Sequence, residues 1–480
     1  MVIDLVGSFY EDRTRGFDHQ RCVNWFPAFS ESGASKSKVQ LICTPGKRLA
    51  VSASPAQGDG CRGIYETSNG RVFVVFGNSL FEMSSNEDLT DRNSSVRFFR
   101  TTGFVSMSDN GTQLMITDEG ASYIYTLSTD SIVQIIDADY PANVSSVNYK
   151  DGFFVVTESG SKRFYASDLN DGSSWNALSF ASITSQPDTL TGCIVVNTDL
   201  KLFGKRINET WVNIDNPDFP FERVNGAVSE VGCKSPRTIQ KINNRIYWLG
   251  SNKNGFGRVW RTRGYSEEPV STSAIERVLT GAGDVEDAIA YTYQSEGHSF
   301  YVLTLPSIEK TFVYDESTSL WHERAYLDNG TLKSHRSSFQ VMAFGKNYIT
   351  WTGDNNIYEL SNDVYSDAGS AIKRIRTSPH IHNENKRIRV NKIEFELERG
   401  QGLTTGQGSD PQLMYRDSGD GGFSWSSEQF CSMGEKGEYK ARIEYYTRGT
   451  ERDWIFEISV SDPVKANIIG AYINVEPWRN

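Results

Sequence analysis

The sequence predicts an all-β chain, a β-propeller of six or seven blades with seven the better count, followed by a C-terminal β-sandwich-like domain. Three observations carry this. The first is a recurring pair, an apolar residue followed by an aromatic: Leu80-Phe81, Ile124-Tyr125, Phe164-Tyr165, Thr210-Trp211, Val259-Trp260, Val313-Tyr314 and Ile357-Tyr358, with Thr210 the weakest fit. The aromatics recur every roughly 40 to 54 residues, the period of propeller blades. The second is a short β-branched or aromatic run before each pair: 72–76, 114–117, 153–156, 194–196, 246–249, 300–303 and 348–351. The third is a change beyond residue 371 to clean alternation of apolar and polar residues, the mark of antiparallel sheets with one buried face.

Turn chemistry separates the runs. Asn69-Gly70, Asn110-Gly111, Asp151-Gly152, Asn243-Asn244, Glu296-Gly297 and Gly345-Lys346-Asn347 are tight-turn sequences. Asn-Gly and Asp-Gly supply the positive φ that short hairpins need. Each unit therefore reads as a meander of about four strands that buries both faces only when stacked radially on neighbours.

In chain order, residues 1–50 form a polar arm with extended-then-turn signals at Cys22-Val-Asn-Trp-Phe-Pro27 and Cys43-Thr-Pro-Gly46. Such an arm either supplies the last blade's missing strand or reaches a neighbouring subunit. Residues 51–365 form the propeller. The widest interval, between Trp260 and Tyr314, holds Ser271-Thr-Ser-Ala-Ile-Glu276, a short helix capped by Ser271 or Thr272. Residues 371–480 form the sandwich. Its buried faces are read as Ile393/Phe395/Leu397, Trp454/Phe456/Ile458/Val460 and Ile469/Ala471/Ile473/Val475.

Composition narrows the function. Net charge is −11 with a pI near 5.2, against general nucleic-acid binding by the whole surface. The six cysteines form no C-x-x-C pair, so they read as scattered reduced thiols, with no zinc or redox motif. No run is long and apolar enough for a membrane span, and the N-terminus lacks the pattern of a signal peptide. Sequons such as Asn208-Glu-Thr read as polar loops.

Candidate chemistry is sparse. Ser418-Gly-Asp420-Gly-Gly422-Phe-Ser424-Trp425 fits the Asp-box pattern of sialidase-type blades. Asp420 accepts backbone N–H bonds there, Gly422 takes positive φ, and Trp425 packs under the turn, so the motif specifies a hairpin and not a reaction. His380 and His382 share one strand face as a candidate metal pair, without a third ligand. Lys373, Arg374, Arg376, Lys386, Arg387, Arg389 and Lys392 form the dense basic patch, which reads either as a solvated strand pair or as a docking face for an acidic protein or for DNA phosphate, the protein contact being the expectation taken forward. No catalytic set and no cofactor motif is identified.

The segments Gln186-Pro-Asp-Thr-Leu-Thr-Gly192, Gly232-Cys-Lys-Ser-Pro236, Ser271–Glu276, Phe312-Val-Tyr-Asp315, Ser432–Tyr439, Ser461-Asp-Pro-Val-Lys465 and Gly470-Ala-Tyr472, with Cys43-Thr-Pro-Gly46 of the arm, carry a resemblance by their order. The chain resembles the tail-hub, or packaged-DNA stabilisation, family of short-tailed bacteriophages. The resemblance implies a non-enzymatic nozzle subunit, hexameric in the virion tail and assembled in the host cytoplasm. It implies a ring below the portal that docks on the head-to-tail adaptor and retains DNA until ejection. It also implies contacts to a tail needle or plug and to tailspike or fibre proteins. A ring of six copies would carry a formal charge of about −66, which repels passing double-stranded DNA and makes retention mechanical. The alternatives are a propeller glycan hydrolase, sialidase-like, and a receptor-binding tail protein.

Overall fold

The computed structural model describes residues 2–32, 34–53, 60–92, 96–251, 257–446 and 449–477. Among these, seven meander sheets stand in a ring. Blades 1 to 4 each use four consecutive strands, within 61–91, 106–134, 144–182 and 190–229. Blade 5 spans 232–269 and blade 6 spans 289–328. Blade 7 takes three strands from 339–361 and its fourth strand, Gly46–Ser52, from the arm. The innermost strands touch their neighbours around the ring, and the blade 7 strand Phe339–Ala343 contacts Cys61–Glu66 of blade 1 to close it.

The recurring dipeptide explains the stacking. Every one of the seven pairs lies on the third strand of its blade. Successive residues on a strand face opposite sides, so each pair serves two clefts. The aromatic packs on the preceding blade. Tyr125 joins Phe73 and Val75 of blade 1, Tyr165 joins Met115 and Ile124 of blade 2, and Trp211 joins Val155 and Phe164 of blade 3. Phe81 of blade 1 closes the ring against Val341 and Tyr348 of blade 7. The apolar partner packs on the following blade, as Leu80 does with Leu114 and Ile116. Second strands bury both faces and so read as unbroken apolar runs, such as Val72–Phe76 with all five residues 0% exposed.

The hairpin turns adopt the required backbone. Gly70, Gly111, Gly152 and Gly297 have φ between 80° and 92°, and Asn243 takes 52°. The helix forms over Ser273–Ala282, with Thr272 accepting the Ile275 N–H at its N-cap. Ile275 and Leu279 are buried against blades 5 and 6.

Three expectations are corrected. The run 194–196 belongs to the first strand of blade 4, Leu190–Val196; the second strand is Asp199–Gly204. Lys201 interrupts the apolar run of that second strand, and it lies buried because its amine pairs with Glu267 of blade 5 at 3.0 Å. In the sandwich, Ile468 and not Ile469 is fully buried, because the register shifts between Glu396 and Leu397. Asn208 is a buried strand residue whose amide donates to the Val231 carbonyl at 2.8 Å, not a loop residue.

The arm links the two β units. Trp25–Phe29 and Val39–Cys43 extend one sandwich sheet, next to Ile468–Pro477, Ile388–Leu397 and Ile443–Tyr445. Cys22–Val23 bridges the outermost strand of blade 6 to Arg374–Thr377, which begins the other sandwich sheet with Asp453–Val460, Gln412–Ser418 and Gln429–Ser432. One apolar core therefore runs from the blade 5–6 cleft into the sandwich, with Phe9 packed on Phe312 at 5.2 Å. The Trp25 indole donates to the Ala466 carbonyl at 3.0 Å, which satisfies the polar end of a fully buried side chain.

Candidate docking surface, Asp-box turn and propeller axis

The seven basic residues do not form one patch. Arg374 and Arg376 are 0% exposed. Both sit on Arg374–Thr377, a strand covered on both sides because it lies between Cys22–Val23 and Asp453–Val460. The Arg376 guanidinium donates to the carbonyls of Leu5 (2.6 Å), Ser8 (3.1 Å) and Arg21 (3.1 Å) and to Gln20 Oε1 (2.6 Å). Burial pulls its proton affinity down, and the nearby Cys22, Asp18 and Asp4 oppose that. Arg374 reaches the carbonyls of Tyr365 and Asp462. A docking role for these two is therefore a misreading of an internal latch. Their alternation with Ile375 resembles a solvated strand face, and the groups that cover them lie far away in sequence.

The other five lie nearer the surface. Lys386 pairs with Glu384 at 2.9 Å, and Lys392 with Glu394 and Glu444, both at 3.1 Å. Arg387 and Arg389 are exposed, and Arg389 stands opposite exposed Glu476 across the sheet. Lys373 is half-buried, and its carbonyl accepts from the Asn24 amide at 2.8 Å. This surface alternates charge, so it suits a protein contact better than a phosphate backbone.

The Asp-box sequence folds as its chemistry requires. Asp420 accepts the N–H groups of Phe423 (3.0 Å) and Ser424 (2.9 Å) and the hydroxyls of Ser424 (2.6 Å) and Ser418 (2.7 Å). These bonds, that from the Ser424 hydroxyl foremost, hold its carboxyl down at about 2. Gly422 takes φ 86° and donates its N–H to Ser418 Oγ at 2.8 Å. Trp425 is half-buried, with the Arg416 guanidinium 4.7 Å from its ring centre. His380 is committed on both ring nitrogens, to Asp453 Oδ2 (2.7 Å) and the Arg15 carbonyl (2.8 Å), so it does not form a metal pair with His382. Among the described residues no cluster of three His, Cys, Asp or Glu could hold a metal ion.

Sequence reasoning missed the filling of the propeller axis. Phe104, just before the innermost strand of blade 2, lies 5.5 Å from Phe339 of blade 7. The Arg237 guanidinium, from the 3-10 turn Pro236–Thr238 of blade 5, stands 3.4 Å over Phe104. Blades 2, 5 and 7 are not adjacent, so their side chains meet only at the axis. The cation–π stack lies across it at the end where the innermost strands begin. No sequence signal marks these residues, because each precedes or opens a strand and follows no period.

The model of one protein family, described as bacteriophage P22 Gp10, beta-propeller, matches residues 1–365. A second, described as bacteriophage P22 Gp10, beta-sandwich, matches residues 373–476. No curated protein matches significantly. Among solved structures, the chain is similar to virginiamycin B lyase from Staphylococcus aureus at 13% identity and a TM-score of 0.44, over 65% of this chain and 97% of that one. It is similar to a chain of a mitotic checkpoint complex at 10% identity and a TM-score of 0.42, over 70% and 98%. It is also similar to the extracellular domain of a putative one-component system from B. thetaiotaomicron at 10% identity and a TM-score of 0.44, over 86% and 58%.

Proposed function

Because the chain belongs to the bacteriophage P22 Gp10 family, and so is a structural protein of the phage tail and a virion component, we propose that it is the tail-hub subunit that forms a ring below the portal and adaptor. The observation that carries this is the match of both units in order, propeller then sandwich, over nearly the whole chain. In this reading six copies close a ring, retain packaged DNA and line its exit. The copies assemble in the host cytoplasm with the adaptor above and the needle or plug and the tailspikes or fibres as further partners. The arm, knitted into both units, supports such a role, since a closed ring needs subunits that hold a fixed shape against a heterologous interface. The stack of Phe104, Phe339 and Arg237 lies across the propeller axis, which supports a conduit in the lumen between copies. A net charge of −11 per copy favours passage of DNA over adhesion. The remainder of the basic patch, exposed Lys386, Arg387 and Arg389 with half-buried Lys373 and Lys392, is assigned to a protein contact.

The protein acts without catalysis in this reading. At the axial mouth, where a propeller glycan hydrolase would gather arginines, a tyrosine and an acid, the Arg237 guanidinium is engaged by the Phe104 ring at 3.4 Å and by Glu119 at 3.8 Å, with Phe339 beside them. Native mass spectrometry of the full chain mixed with adaptor-bearing particles tests the proposal. A hexameric ring on the particle is expected; a lone monomer under those conditions refutes it. Release of sugar from polysaccharide or sialoside by the pure protein would instead favour the hydrolase.

A further inference from the structure

The N-terminal arm carries a small hairpin, Tyr10–Glu11 paired with His19–Gln20, whose loop 12–18 rests on the Asp-box turn. Arg15 makes that contact. Its Nη1 donates to the Gly422 carbonyl at 3.1 Å, and its guanidinium lies 5.3 Å from the Phe423 ring centre. Gly16 and Gly421 approach closely enough that a Cβ on Gly421 would sit 3.8 Å from the Gly16 Cα. His380 supports Arg15 from behind. Its Nε2 is 2.8 Å from the Arg15 carbonyl oxygen and its Nδ1 is 2.7 Å from Asp453 Oδ2.

Both partners of this imidazole are acceptors. A neutral ring has one N–H and one lone pair, so it would point the lone pair at either a carbonyl or a carboxylate. Only the imidazolium, with two N–H groups, satisfies both at once. We propose that His380 is a pH-operated clasp, whose imidazolium locks the hairpin of the N-terminal arm onto the Asp-box turn of the sandwich. The proposal is independent of ring formation.

The surrounding charges agree with this. Asp453 lies on the strand Asp453–Val460, Asp18 and His19 on the hairpin, Arg15 on its loop, and Asp420 within the turn. The hydrogen bond to Asp453 raises the His380 proton affinity, partial burial opposes it, and Asp18 adds to the rise. His19, by contrast, is lowered by burial and so does not share the role. A group raised in the folded state contributes fully below its unfolded value and loses that contribution as pH rises through the folded one. The clasp is therefore closed in acid and opens as pH rises through the His380 midpoint, which Asp453 lifts above the ordinary histidine value.

The test is carried out on the full chain. Histidine ring ¹³Cε1 resonances are titrated, and the His380→Gln variant identifies the signal among the six histidines. The expected midpoint lies above the ordinary ~6.5, and Asp453→Asn lowers His380 proton affinity by about tenfold or more. In parallel, tryptic cleavage after Arg13 and Arg15 is timed against an unstructured peptide with the same sites. Relative cleavage in the wild type should rise about tenfold across the His380 midpoint, the response of one unit of linkage. In His380→Gln it should be fast at every pH. A His380 midpoint at or below the ordinary value, or protection unchanged across that midpoint, overturns the proposal. Both wild-type measurements decide the question even if Asp453→Asn does not fold.

Discussion

Arg376→Met should detach the N-terminal arm while leaving the propeller standing. Methionine keeps most of the buried length, so the change isolates the polar contribution from a cavity. The guanidinium makes four hydrogen bonds, three to backbone carbonyls of residues 5–21 and one to Gln20. Bonds from a charged donor contribute about 1.5–3 kcal/mol each, a gross loss of roughly 6–12 kcal/mol. Removing a fully buried charge relieves a desolvation cost of several kcal/mol, which offsets part of that loss. The net expectation is about 3–5 kcal/mol, the gross loss less that relief, with the neutral acceptors left unsatisfied at a buried site. The acceptors all belong to the arm, so the loss shows as local opening. Hydrogen exchange reads it directly. The Phe9 amide, which donates to the Trp321 carbonyl at 2.7 Å, is the reporter. Its protection should fall by about 10² to 10⁴, the same free energy expressed as an equilibrium constant. Arg387→Met, at an exposed site, should change it by less than about 0.5 kcal/mol. Equal protection in both variants would refute the latch and return Arg376 to the surface patch.

Three further outcomes are expected. Trp211→Ala empties the blade 3–4 cleft where the indole meets Phe164 at 5.0 Å, and should cost about 3–5 kcal/mol by denaturant unfolding, against a small effect of Leu178→Ser, which is 79% exposed. Gly46→Ala places a Cβ 2.3 Å from the Val364 carbonyl oxygen, so the closing strand of blade 7 should fray and amides of Lys47–Ser52 should exchange faster. Asp420, held at about 2, favours the folded turn above the ordinary carboxyl range near 3.8 and loses that contribution as pH falls through about 2. Protease sensitivity of residues 418–425 should therefore rise in strong acid, and Asp420→Ala should show the same sensitivity at neutral pH.

The sequence by itself determined the repeating unit. One apolar–aromatic pair per blade is legible because a strand alternates its faces and each blade meets two neighbours, so the constraint recurs locally at every repeat. The hairpin glycines, the Thr272 cap and the Asp-box turn are legible for the same reason: their partners lie within a few residues. Tertiary structure alone decided the arm, the latch and the axis. Arg374 and Arg376 read as surface charges because the carbonyls that satisfy Arg376 belong to residues 5–21, about 350 positions earlier, and nothing local announces them. Lys201 was unreadable as a core residue until Glu267 came from the next blade, and His380 until Asp453 and the Arg15 carbonyl converged on its two nitrogens. A buried polar group needs a distant partner to be tolerable, so its burial is a property of the assembled fold, whereas an apolar period is a property of the strand.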